Sequence, residues 1–159
     1  MTPPLPIRGR KEDVTKPLDF DSLDRAINTA KSLLRYLTSG VPIIRRGPGG
    51  EVHVDVPVMY MDFAVDRIHY DPKSRAPSPK GRPVRAYGDV SSRDVQEVIE
   101  RVLKEAYVIE AAEFREPEDA WVIPVAWNRI IIIHVKVSSS GEELVPDYGL
   151  TEEVRRHVG

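Results

Sequence analysis

The chain has 159 residues, of which 41% are apolar, with 23 Lys and Arg against 25 Asp and Glu and no cysteine. A chain of this length usually forms one domain with a real core, and the missing cysteines exclude disulfide frameworks, thiolate metal sites and cysteine nucleophiles. The net charge of −2 provides no global attraction to nucleic acid. Apolar runs are no longer than four residues, a membrane helix needs about 20, and the N-terminus lacks the apolar region of a secretory signal. We therefore expect a cytoplasmic protein with no membrane association.

Residues 1–18 contain four prolines among mixed charges and have no hydrophobic period, which predicts a mobile N-terminal arm ahead of a single domain at 19–159. Within that domain, apolar residues that recur three and four positions apart predict helices. Apolar residues that alternate with polar ones, between glycines and prolines, predict strands. The predicted helices are 22–38, capped by Asp19 or Asp21, 92–106, and a short third helix beginning near Thr151. The predicted strands are 41–46, 51–60, 63–70, 107–115, 120–127 and 130–137.

The order of these elements is α-β-β-β, a long loop at 71–88, and α-β-β-β again, which suggests an internal duplication with half-repeats at about 19–70 and 89–138. A shift of 67 residues places Pro57 on Pro124. Because proline within sheets is confined to edges and bulges, its recurrence at one place in two hairpins is informative. The sequence therefore predicts an α+β domain with a largely antiparallel sheet, built from two αβββ halves with the helices on one face.

Strand alternation, with two-residue turns at 61–62 and 128–129, assigns every side chain of the two hairpins to a face. One face of the second hairpin then carries no charge, and an apolar surface of that extent must be covered. We expect a homodimer through this face, the alternative being that the loop 71–88 or a terminal arm covers it within one chain. The predicted interface residues are Val122, Ile131, Ile133, Val135 and Val137.

The loop 71–88 has a net charge of about +4 and is flanked by tyrosines. Such a segment can neutralise phosphates while a tyrosine stacks on a base, which predicts a nucleic-acid site. The alternative is a solvated loop whose charges maintain solubility. The candidate nucleic-acid residues are Lys73, Arg75, Lys80, Arg82, Arg85 and Tyr87.

Four cations near strand ends form a second candidate site, for an anionic ligand. The duplication aligns Arg67 with His134 and His69 with Lys136. Regular alternation points them toward the helix-covered face, where they and Trp121 could converge on an anionic ligand. The alternative is that each cation lies at the sheet rim with its charged head in water.

His53, Asp55 and Asp66 share the opposite face under the same alternation. Two carboxylates and an imidazole can hold a divalent metal ion or perform acid–base chemistry. An exposed strand face with alternating polar residues would produce the same pattern, and that is the alternative.

The sequence lacks the signatures of the common hydrolases, NTPases, dinucleotide-binding proteins and zincins, and no catalytic residue or cofactor is predicted. We expect a small non-catalytic binding or assembly domain that self-associates through a sheet face. Nucleic-acid binding through 73–87 and a small metal-assisted or acid–base enzyme are the alternatives.

Overall fold

A computed structural model of the chain describes residues 6–8 and 19–158. It confirms the α+β class, with antiparallel pairing in both of its sheets. The helices are α1 (Phe20–Leu34), α2 (Ser92–Glu105), α3 (Tyr148–Val158) and a short 3-10 helix (Glu116–Glu118). The strands are β1 (Thr38–Ser39), β2 (Ile43–Arg46), β3 (Glu51–Tyr60), β4 (Phe63–Asp71), β5 (Ala76–Pro77), β6 (Ala86–Tyr87), β7 (Tyr107–Val108), β8 (Glu113–Arg115), β9 (Ala120–Trp127) and β10 (Ile130–Ser138).

The N-terminus of each α-helix is defined by a capping side chain. The Asp19 carboxylate accepts from the backbone N–H of Ser22, and the Ser91 hydroxyl caps α2 in the same way. Asp147 accepts from the N–H of Leu150, so α3 begins three residues before the predicted Thr151. Helix α1 ends four residues before the predicted position, because the chain tightens there into bonds of the 3-10 type and then enters β1.

The strands form two sheets instead of the single expected sheet. In the six-stranded sheet, β1 and β2 pair with one edge of β3, and β4 and β6 pair with the other. In the four-stranded sheet, β9 lies between β10 on one edge and β7 and β8 on the other. The predicted strand 107–115 is therefore split into β7 and β8, and the predicted loop 71–88 contains the short strands β5 and β6.

The two long hairpins, β3–β4 and β9–β10, have the same register. When 67 is added to both residue numbers of a cross-strand pair in β3–β4, the result is a cross-strand pair in β9–β10. Pro57 opposite Arg67, for example, corresponds to Pro124 opposite His134. Both hairpins also contain a bulge at the equivalent place, with one extra residue at Val65 in the first and at Ile132 in the second. The predicted two-residue turns at 61–62 and 128–129 are confirmed.

These bulges overturn the predicted assignment of faces, because one extra residue reverses the alternation of every residue that follows it. Ile133, Val135 and Val137 point into the protein and are fully buried within the single chain. Val122 is also buried, and Ile131 is half-buried. The uncharged exposed face therefore does not exist, and the homodimer stays a prediction that has lost its original argument.

One hydrophobic core combines both hairpins with α1 and α2. Helix α1 packs on β7, β9 and β10, and α2 contacts β1, β5 and β9. Helix α3 differs from the expectation of helices on one face, because its Leu150 packs on Ile43 and Ala64, on the side of the first hairpin that faces away from this core. We call this side the outer face.

The predicted mobile arm lies outside the described residues except for 6–8. Within these three residues the chain is held in place, because Ile7 forms a parallel bridge with Leu144 and Arg8 is buried. The Arg8 guanidinium donates to the Asp119 carboxylate at 3.0 Å.

Candidate functional site

An ion network lies on the outer face of the first hairpin, centred on Asp55. Its Oδ1 is 2.7 Å from Nδ1 of His69, directly across the β3–β4 pair. Its Oδ2 accepts from Arg45 at 3.0 Å and from Arg67 at 3.1 Å. Three basic side chains from two strands, β2 and β4, therefore converge on one buried carboxylate.

Helix α3 completes this network with Glu153, the fifth member of what we call the Asp55 network. Arg67 donates to Glu153 Oε1 at 3.1 Å, and Arg45 donates to Glu153 Oε2. Leu150 and Val154 of the same helix pack on the apolar part of the outer face. The network's charged side chains and the apolar residues of the outer face therefore have partners in the same chain.

The electrostatics of the network indicate a structural role. Burial alone would raise the pKa of Asp55, but the hydrogen bonds and charges of His69 and Arg67 outweigh it and lower that pKa to about 2. Burial likewise acts to lower the pKa of Arg67, and its two carboxylate partners raise it. Asp55 is fully ionised at neutral pH and has no tendency to exchange a proton there.

Asp66 connects the two hairpins. Its Oδ1 accepts from the backbone N–H of Arg67 and from Nζ of Lys80, both at 2.8 Å. Its Oδ2 accepts from the backbone N–H of His134 in β10 at 2.7 Å. The Asp66 carboxylate thus accepts a backbone N–H of β10 and links the two hairpins, which belong to different sheets.

The predicted anion site does not assemble as expected. The bulge at Val65 turns Arg67 and His69 to the outer face, into the Asp55 network, and the bulge at Ile132 does the same to His134 and Lys136 in the second half. Trp121 remains on the core side, where its Nε1 donates to the carbonyl of Ser139 at 3.2 Å. The five residues are therefore divided among three places.

The predicted metal site does not assemble either. Cross-strand pairing places Asp66 opposite Val58, on the other face of the hairpin from Asp55. Within residues 6–8 and 19–158, no three His, Asp or Glu side chains are grouped closely enough to hold a metal ion.

The counterpart of the Asp55 network in the second half lacks its central carboxylate, because Val122 stands where Asp55 stands in the first. Arg115, Pro124 and His134 line an open cavity of about 250 Å³ there. Burial lowers the pKa of His134, the charges of Lys80, Arg115 and Lys136 lower it further, and Asp66 opposes them. Acidic side chains also border this surface: Glu118 Oε2 lies 3.0 Å from Nζ of Lys136. The cations are therefore partly neutralised by the chain itself.

A larger cavity, of about 490 Å³, lies between the C-terminal ends of α1 and α2. We call it the interhelical cleft. Its lining has an apolar part and a basic part. The apolar lining residues are Leu34, Leu37, Leu103 and Ala106, and the polar ones are Lys31, Arg35, Thr38, Glu100 and Lys104.

Among the described residues, some charged side chains around the interhelical cleft have partners and others have none. Glu100 accepts from the backbone N–H of Ser39 at 2.5 Å, and Lys31 forms an ion pair with Glu110 at 2.8 Å. Arg35 and Lys104 are exposed, and neither forms a salt bridge with any residue that the structure describes. Two basic side chains therefore remain available beside an apolar floor.

The sequence did not single out these cleft residues. Basic residues in the last turn of a helix are common, because they interact favourably with the helix dipole. Nothing in the spacing of Arg35 and Lys104 shows that the ends of two helices lie next to each other.

Nucleic-acid binding by the loop 71–88 remains a prediction. The structure separates one of its six candidate residues from the other five. Lys80 is engaged with Asp66 and is half-buried. The other five residues are exposed: Lys73, Arg75, Arg82, Arg85 and Tyr87.

Across the described ranges, no helix combines the length and the apolarity that a membrane crossing requires. Comparison with protein-family models, with curated proteins and with solved structures finds no match to this chain.

Proposed function

We propose that the chain is a non-catalytic binding domain whose ligand, a small molecule with an apolar body and an anionic group, occupies the interhelical cleft. One observation carries this proposal: an apolar floor of leucines lies beside two exposed basic side chains, Arg35 and Lys104, that have no carboxylate partner among the described residues.

The size and the chemistry of the cleft support it. Binding sites for small molecules are typically about 300 to 1,000 Å³, mostly apolar, with a few polar groups that orient the ligand. The cleft has about 490 Å³, within this range, and four of its nine lining residues are apolar. The lining carboxylate of Glu100 accepts from a backbone N–H and Lys31 pairs with Glu110, so Arg35 and Lys104 are the basic groups that an incoming anion meets without a salt-bridge partner among the described residues.

We also propose that the two halves are an internal duplication. The common register of the hairpins, the matching bulges and the bond from the N–H of Gly40 to the Pro57 carbonyl, repeated from Ile109 to Pro124, support it. On this view α1 and α2 are equivalent helices, and the cleft lies between corresponding ends of the two halves.

Octanoate is a suitable probe, because it combines an apolar chain with a carboxylate, and octanol is the matched neutral molecule. We expect octanoate to shift the backbone amide resonances of the cleft residues in NMR titrations, and to bind more tightly than octanol. Arg35→Ala and Lys104→Ala should each weaken octanoate binding about tenfold and leave octanol unchanged, since each removes one charge-assisted hydrogen bond.

Arg101→Ala is the matched control, because Arg101 is an exposed cation of α2 that does not line the cleft. Thr38→Trp, which fills the cleft from β1, should abolish binding of both probes. The proposal fails if octanoate shifts none of the backbone amide resonances of the cleft residues. It also fails if Arg101→Ala weakens octanoate binding as much as Arg35→Ala does.

A further inference from the structure

The sheet topology brings basic residues from three segments to one end of the first sheet. Val52, near the start of β3, pairs with Arg46 of β2 on one edge and with Ala86 of β6 on the other. Strand β6 therefore continues alongside β3 where β4 has left it, and the turn at the end of β4 lies at the same end of the sheet. We call this surface the basic end; its members are Arg46, Lys73, Arg75, Arg82, Arg85 and Tyr87.

The charges of the basic end are free of carboxylate partners. All five of its cations are exposed, and none forms a salt bridge within the part of the chain that the structure describes. Acidic residues border this surface without forming a salt bridge to it among the described residues: Asp71 Oδ1 accepts from the backbone N–H of Lys73 at 2.9 Å, and Glu51 lies opposite Tyr87 in the β3–β6 pair. Arg75 interacts with the hydroxyl of Tyr70 and remains exposed.

The loop that carries these cations is held at several points. The N–H of Ser78 donates to the carbonyl of His69 at 2.7 Å, and its hydroxyl donates to the carbonyl of Arg82 at 2.7 Å. The N–H of Lys80 donates to the carbonyl of Ile131 at 2.8 Å, while its side chain is bound to Asp66. The cations of the basic end therefore project from a fixed backbone, which reduces the entropy lost when they bind a partner.

An exposed aromatic side chain stands among these cations. Tyr87 is 69% exposed although it belongs to a strand, where it pairs with Glu51. Cations that follow a backbone, combined with an exposed aromatic ring, are the arrangement by which proteins bind single-stranded nucleic acid, since every base presents a face that can stack.

We propose that the basic end binds single-stranded nucleic acid, with its cations contacting phosphates and Tyr87 stacking on a base. The exposed tyrosine favours this partner over an acidic peptide, which would use the cations but would gain nothing comparable from a ring. This site is separate from the interhelical cleft, so either proposal can fail without the other.

Fluorescence anisotropy of a labelled oligouridylate of about 12 nucleotides tests the proposal with the full chain. We expect binding that weakens steeply between about 50 and about 200 mM salt, with the slope falling by about 0.7 for each phosphate contact removed by Arg82→Ala or Arg85→Ala. Tyr87→Ala should weaken binding about tenfold and leave the salt slope unchanged, because it removes stacking and no charge.

Two matched controls separate this mechanism from general attraction of charge. Tyr107→Ala removes another exposed tyrosine, from the second sheet, and Arg101→Ala removes an exposed cation from α2. Both should bind the oligonucleotide as the parent chain does. All replaced side chains are exposed, and circular dichroism will show that each variant is folded.

Three results would overturn the proposal. The first is no binding at the lowest salt concentration. The second is binding that Tyr87→Ala does not change. The third is displacement of the oligonucleotide by polyglutamate as effectively as by unlabelled oligouridylate, which would make the basic end a general site for acidic polymers.

Discussion

Replacing Asp55 with asparagine tests the Asp55 network directly, because the shape of the side chain is kept and only its charge is lost. The folded chain holds the pKa of Asp55 at about 2, against an ordinary value of 3.8. At about 1.4 kcal/mol per pKa unit, this difference corresponds to about 2 kcal/mol of stability. The Asp55 side chain is only 11% exposed, so solvent screens it little.

The sign of the pH dependence follows from the direction of the shift. A carboxyl group whose pKa is lowered by folding contributes its full stability above the ordinary pKa, and that contribution is lost as the pH falls toward the folded pKa. We therefore expect Asp55→Asn to lower the free energy of unfolding by about 2 kcal/mol at pH 7. The difference from the parent chain should narrow between about pH 4 and pH 2.

Urea unfolding followed by circular dichroism, at pH 7 and at low pH, measures both quantities. Glu142→Gln is the control, because Glu142 is an exposed carboxylate and its replacement should change the free energy of unfolding by less than about 0.5 kcal/mol at either pH. If Asp55→Asn costs no more than this control, or if its cost is the same at both pH values, the reasoning about the network is wrong.

Three further substitutions test other contacts by urea unfolding. Thr151→Val should cost about 1 to 3 kcal/mol, because the Thr151 hydroxyl accepts from the buried N–H of Ala64 and valine cannot; Thr151→Ser should restore most of the loss. Gly141→Ala should cost more than about 1 kcal/mol, since Gly141 has a φ of +82° and a Cβ there would lie 2.6 Å from the carbonyl oxygen of Ser22; an unchanged midpoint would contradict this. Asp66→Ala should cost about 3 kcal/mol, because it leaves three donors without their acceptor, and a cost below that of Asp55→Asn would refute its role in joining the hairpins.

The main elements could be predicted because their signals are local. Apolar spacing placed α2 within one residue of its observed bounds, and alternation with turn residues placed β3 and β9 at theirs. The split of 107–115 was not predicted, because apolar and polar residues in that segment fit one continuous strand as well as two short ones. The short strands β5 and β6 each contain two residues, too few to form a pattern.

The candidate sites were predicted less well, and the bulges are the main reason. Alternation was counted through Val65 and Ile132, where the observed pairing skips one residue, so later side chains were assigned to the wrong face. The run of four isoleucines at 130–133 conceals such a shift, because an apolar residue fits the core at every step. The prediction therefore placed Arg67 and His69 on the face of the hairpin opposite Asp55, the group that they bind.

Contacts between distant segments could not be predicted from spacing. Glu153 lies 86 residues from Arg67 and reaches it only because α3 crosses the outer face of the first hairpin. The interhelical cleft has the same origin, since it depends on where the ends of α1 and α2 meet. In both cases the residue types are ordinary, and only the tertiary arrangement makes them a site.

The outer face of the first hairpin and the corresponding face of the second hairpin have the same backbone register but different side-chain partners. In the first half, Asp55 and Glu153 of α3 together form salt bridges with Arg45 and Arg67. In the second half, Val122 stands in the place of that carboxylate, the surface contains an open cavity, and Glu118 provides a partner for Lys136. Cations without a salt bridge among the described residues are grouped at the interhelical cleft and at the basic end, and we expect a ligand with negative charge to gain most at these two places.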